Sequence, residues 1–75
     1  MAARPEPRLL NRIRVARAER QLSQEQLANA ARVSRQTISS IETGQYCPSA
    51  LLAFHLAKVL NVGVEELFQL EEGTR

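Results

Sequence analysis

The sequence predicts an all-α protein, a compact domain of five short helices. Three observations predict it. Apolar residues recur at spacings of three and four through most of the chain. Ser23, Ser34 and Ser49 each precede such a stretch, where a hydroxyl caps free backbone N–H groups. Glycine and proline fall between the periodic stretches rather than inside them, and strand-like alternation is almost absent.

The elements follow in order. Residues 1–8 read as a flexible arm, residues 9–69 as the domain and residues 70–75 as a C-terminal tail that frays from Glu71. The first helix is expected from Leu9 to Arg20, after Pro7, with Ile13, Ala16 and Arg17 on one side. Ser23 with Gln26 forms a capping box for a second helix from Gln24 to Ala31, whose inner face is Leu27, Ala28 and Ala31. A short turn through Arg32 and Val33 leads to Ser34, the cap of a third helix from Arg35 to Thr43. Gly44 is placed to end that helix in a left-handed conformation. A loop over residues 45–49 precedes the fourth helix, Ala50 to Leu60, and Asn61 takes the left-handed position after it. A last short helix from Val64 to Gln69 returns Leu67 and Phe68 to the core.

The 75 residues leave room for one core. A chain this short buries only ~60% of the surface its unfolded form exposes, so outside support is expected. With Cys47 the single cysteine, neither an internal disulfide nor a cysteine-built metal site is available. Dimerisation is the common alternative. A free thiol suits a reducing cytoplasm, and no apolar run approaches the ~20 residues that span a bilayer. The charge is unevenly spread. Residues 1–46 hold eight arginines against four glutamates, and residues 47–75 hold two cations against four glutamates. The basic end is the candidate for a polyanion. An enzyme lacks parts: one histidine, one cysteine, no aspartate and no glycine-rich phosphate loop. His55 stands alone on a helix, so neither a metal nor a cofactor is expected.

Helices two and three carry the functional signal. The third has a narrow apolar stripe, Ile38 and Ile41, and an outward face of Arg35, Gln36, Ser39, Ser40 and Thr43. A helix that enters the DNA major groove needs that design. Arginine pairs with guanine, glutamine with adenine and serine with either. Ser23 and Ser34 begin two helices whose N-terminal N–H groups suit phosphates.

The run Leu22-Ser-Gln-Glu-Gln-Leu-Ala28, with Val33-Ser-Arg-Gln-Thr-Ile-Ser-Ser-Ile-Glu-Thr-Gly44, resembles the Cro/C1-type (phage-repressor-like, XRE) helix-turn-helix family. The resemblance extends through Pro48-Ser49 and Leu56-Ala-Lys-Val-Leu60 to Val64-Glu-Glu-Leu-Phe68. It implies a lambda-repressor-like fold and a small stand-alone transcriptional regulator. Carried over, it makes Arg35, Gln36 and Ser40 base-reading residues. Gln24 matches a phosphate-binding residue that braces the recognition helix. Ser34 matches a phosphate or base contact, with Thr37 and Ser39 as neighbours, and Thr43, Gln45 and Tyr46 match a phosphate-holding loop. Arg17 and Glu42 match a structural ion pair. Three positions depart from the family pattern. Gln21 and Arg32 stand where glycine commonly ends helix one and makes the motif turn, and Gly63 stands where serine or threonine commonly caps the last helix. Arg32 is therefore expected either to be mildly strained or to sit in a remodelled turn.

Helix four is apolar nearly all round. Leu52, Ala53, Leu56, Ala57 and Leu60 form its inner face, and Leu51 lies nearly opposite, between Phe54 and Val59. This predicts a second copy as partner, in a homodimer using Leu51, Phe54, His55, Phe68 and Leu70. The expected activity is sequence-specific binding of double-stranded DNA at a palindromic or near-palindromic operator, as a regulator of the repressor kind, with no small-molecule effector. The alternatives are an antitoxin or a restriction-modification controller protein.

Overall fold

The computed structural model describes residues 7–71. Five helices form: α1 (Ile13–Glu19), α2 (Gln24–Ala31), α3 (Arg35–Glu42), α4 (Ala50–Leu60) and α5 (Val64–Leu67). Two short strands flank them, β1 (Arg8–Asn11) and β2 (Phe68–Glu71). They pair antiparallel, with Leu9 opposite Leu70 and Asn11 opposite Phe68.

The sheet corrects the all-α expectation. It also shortens the first and last helices, since residues 9–11 and 68–69 are strand rather than helix. Asn11 is the local cause at the start of α1. Its Oδ1 accepts the Ile13 N–H at 3.1 Å, and Arg12 at φ −118° is not helical. Phe68 at φ −125°, ψ 139° leaves the helix at the other end. Of the expected arm, Arg8 opens β1 and residues 1–6 lie outside the described residues. Of the expected tail, Leu70 and Glu71 complete β2 and residues 72–75 lie outside. Pairing between the two ends of a chain depends on closure by the helices between them. Four-residue strands carry too little alternation to announce it.

The caps follow the sequence reading. Ser23 accepts from Gln26 N–H at 3.0 Å while Gln26 Oε1 accepts Ser23 N–H at 2.8 Å. Ser34 accepts from Thr37 N–H and Ser49 from Leu52 N–H, both at 3.1 Å. At Gly63, with no side chain to offer, Glu66 Oε1 accepts the Gly63 N–H instead. The core is Ile13, Leu27, Ile38, Ile41, Leu56, Leu60 and Leu67, all fully buried, with Phe68 and four alanines around them. Each large residue deleted from such a core costs ~2–5 kcal/mol. No helix among the described residues is long and apolar enough to cross a membrane.

Arg32 is the left-handed residue after α2, at φ 62°, ψ 42°, and Gln21 holds φ 55° between α1 and α2. The turn is thus not remodelled; both side chains accept the unfavourable backbone region. A left-handed L-residue costs ~1–2 kcal/mol, partly offset by the lower unfolded-state entropy of a non-glycine residue. Because Arg32 is exposed, Arg32→Gly is expected to stabilise the fold by about 0.5–1 kcal/mol. Thermal denaturation followed by circular dichroism would show a rise of a few degrees. A fall would mean that the arginine side chain contributes more than its backbone costs.

Candidate nucleic-acid interface

The unit formed by α2 and α3 is built by burying one side of each helix. Leu27, Ala28 and Ala31 face Ile38 and Ile41 within the common core. That burial fixes which residues of α3 point away. Arg35 and Gln36 lie exposed in its first turn, Thr37, Ser39 and Ser40 are half-buried along it, and Thr43 is exposed at its end. The Ser34 hydroxyl serves as a cap and lies 2.9 Å from the Thr37 hydroxyl.

A polar network secures this unit from behind. Arg17 Nε–H donates to Glu42 Oε2 at 2.7 Å, and Arg17 Nη1–H donates to Leu22 O at 2.9 Å, closing the α1–α2 turn. Gln24 Nε2–H donates to Glu42 Oε1 at 3.0 Å. On its outer side Gln24 Oε1 accepts from Arg35 Nη1–H at 3.4 Å. Arg14 Nε lies 3.7 Å from Glu42 Oε1. The Glu42 side chain is 1% exposed, against 15% for Arg17 and 71% for Arg14. Burial pushes the Glu42 carboxyl pKa upward. Hydrogen bonds from Arg17 and Gln24 and the charges of Arg17 and Arg14 outweigh burial and hold it below its ordinary value of 4.5. One carboxylate thus meets two guanidinium groups, and the network keeps a positive surplus at its surface.

The loop after α3 is gathered on one carbonyl. Ser40 O accepts the Gln45 and Tyr46 N–H groups at 2.9 and 3.2 Å and the Thr43 hydroxyl at 3.2 Å. Gly44 at φ 82° makes the reversal possible. Gln45 and Tyr46 stay exposed on that loop, just past the C-terminal end of α3. Two linking residues escaped the sequence reading. Asn11 Nδ2–H donates to Ile41 O at 2.9 Å, tying β1 to the end of α3. Arg14 joins Glu42 from α1. An asparagine two residues before a periodic stretch is a recognisable turn-and-cap signal, whereas the position of Arg14 follows only from helix packing.

A capped surface helix with exposed Arg and Gln in its first turn, docked across a second capped helix, is the arrangement of a major-groove reader. The helix-turn-helix family model matches residues 13–67. This chain belongs to the helix-turn-helix family of the Cro/C1 type. It is similar to an HTH-type transcriptional regulator of Methanocaldococcus jannaschii, 47% identical over 62 residues, 83% of this chain and 94% of the relative. The HTH-type regulator YgzD of Bacillus subtilis is 42% identical over the same shares. Among solved structures, the restriction-modification controller protein C.AhdI of Aeromonas hydrophila superposes with a TM-score of 0.71 at 34% identity. That match covers 75% of this chain and 85% of the controller. The chain is accordingly a transcriptional regulator with a helix-turn-helix DNA-binding fold.

For a regulator of this family the back of α4 is the second surface of interest. Leu51 is 82% and Phe54 61% exposed, and Leu70 on β2 is 62% exposed. His55 is half-buried. Phe68, expected on a subunit interface, is 8% exposed and packed in the core. That burial fits its expected return to the core and leaves little of the ring exposed.

Proposed function

We propose that this regulator binds a specific double-stranded DNA sequence as a two-fold homodimer and represses transcription from it. The observation that carries the reading is the first turn of α3. Ile38 and Ile41 anchor the helix from inside, while Arg35 and Gln36 stand exposed at its start. In the complex Arg35, Gln36 and Ser40 read base edges. Gln24, Ser34, Thr37, Ser39, Thr43, Gln45 and Tyr46 meet the sugar-phosphate backbone or neighbouring atoms. Arg17 and Glu42 hold the helices in register from within. Repression needs only occupancy of an operator that overlaps a promoter, and no effector or cofactor enters it.

The dimer reading rests on the exposed side chains of Leu51, Phe54 and Leu70, with the half-buried His55. Two recognition helices related by a two-fold axis and about one DNA turn apart, ~34 Å, call for a palindromic operator. Selection of bound duplexes from random DNA is expected to return such a site. Affinity for unselected DNA should fall steeply with salt as phosphate contacts release counterions. No binding at low salt would overturn the reading. Leu51→Glu is expected to convert the dimer to a monomer in sedimentation; a dimer that survives places the interface elsewhere. The likeness to a restriction-modification controller favours one second reading, that the operator governs a restriction enzyme and its methylase. A restriction-modification gene pair beside this gene would distinguish it.

A further inference from the structure

Glu42 is too deeply buried to touch DNA, yet it decides what Gln24 presents to Arg35. A carboxylate only accepts hydrogen bonds. With the Gln24 amide 3.0 Å from Glu42 Oε1, its NH2 group must point inward and its carbonyl oxygen must point outward. That outward oxygen faces the Arg35 guanidinium. With the amide reversed, NH2 would face guanidinium, donor against donor.

We propose that Glu42 is a positioning residue for base reading by Arg35, acting through the enforced orientation of the Gln24 amide. The inference rests on the reading of Arg35 as a base contact. Three features support it. Arg17 is bound to Glu42 Oε2 at 2.7 Å and reaches Oε1 only at 3.4 Å, so Gln24, at 3.0 Å, is the nearer partner of Oε1. Arg14 also lies 3.7 Å from Oε1 and reinforces the ionised state. The acceptor offered to Arg35 is neutral, so it orients the guanidinium without cancelling the charge that a guanine edge or phosphate requires. An acidic residue in place of Gln24 would hold Arg35 more tightly and compete with DNA for it.

The test compares Gln24→Met, Glu42→Gln, Arg35→Ala and their pairs by selection of bound duplexes and by fluorescence anisotropy on the selected site. Each variant is first shown to be folded by circular dichroism. A glutamine at 42 can donate to the Gln24 carbonyl and so release the enforced orientation. Gln24→Met and Glu42→Gln are each expected to weaken preference at the base pair read by Arg35 about fivefold, in line with the loss of one ordinary hydrogen bond. The slope of affinity against salt should stay unchanged. In the Arg35→Ala background neither change should alter that preference further. Gln24→Met also removes the proposed backbone contact and so weakens every duplex by a common factor, so the readout is the preference beyond that factor. No loss of preference at that base pair in either variant would overturn the proposal. Should Glu42→Gln fail to fold, Glu42→Asp takes its place, because it keeps the charge for Arg17 but draws the carboxylate back from the Gln24 amide. If Arg35→Ala itself leaves the preference unchanged, the base-reading role falls instead.

Discussion

Arg17→Ala is expected to cost about 3 kcal/mol of stability, the lower end for breaking a buried ion pair. Removing the arginine leaves the Glu42 carboxylate, 1% exposed, with Gln24 and a more distant Arg14. It also frees Leu22 O, whose bond from Arg17 closes the α1–α2 turn. The exposed end of Arg17 and the remaining partners keep the loss from reaching the upper limit. A small domain has only ~5 kcal/mol to lose. The melting temperature should therefore fall by roughly 12–24 °C, measured by thermal denaturation near neutral pH. A change within 1 kcal/mol would show that water or Arg14 replaces Arg17 without penalty.

Acid supplies an independent check on that result. The folded-state pKa of Glu42 is lowered, so its ionised form favours the fold. Its contribution is complete above the ordinary carboxyl range and is lost as pH falls through the lowered folded-state value. The gap in stability between the native chain and Arg17→Ala should therefore be widest near neutral pH and shrink below about pH 4. A gap that does not depend on pH would assign the loss to packing of the arginine stem instead.

The second large effect concerns DNA. Arg35→Ala and Gln36→Ala are each expected to cost about 1–3 kcal/mol on the selected operator, roughly 5- to 150-fold in Kd. Each should relax preference at its own base pair. Both residues are exposed in the first turn of α3, so stability should move by no more than about 0.5 kcal/mol. Thr43→Val serves as the contrast. As a neutral residue of the proposed phosphate loop it should weaken all duplexes alike and leave the salt slope unchanged. An unchanged site preference in both α3 variants would remove Arg35 and Gln36 from the reading face.

The two effects belong to one piece of architecture. Glu42 sits at the last position of α3 and Gln24 at the first of α2, so the ion pair with Arg17 joins three helices where the reading helix must be held still. The same carboxylate that stabilises the fold sets the amide facing Arg35. Stability and recognition can be separated only by variants such as Gln24→Met, which leave the Arg17–Glu42 pair in place.

What the sequence by itself determined is local. Ser23, Ser34 and Ser49 mark helix starts because a hydroxyl meets backbone N–H groups within three residues. Gly44 and Asn61 mark helix ends because a left-handed residue closes the last turn. The spacing of Leu27, Ala28, Ala31, Ile38 and Ile41 fixes the inner faces, and so leaves Arg35 and Gln36 outside. The tertiary structure decided what depends on distant parts of the chain meeting. Residues 8–11 and 68–71 became strands because the folded helices bring these two segments together. Arg32 stayed left-handed without glycine because packing of α2 on α3 outweighs a backbone cost of ~1 kcal/mol. Arg14 and Asn11 joined the reading unit only through the approach of α1 and β1 to the end of α3. Helical periodicity is written within a few residues, whereas a contact across thirty, such as Asn11 to Ile41, exists only once the core has closed.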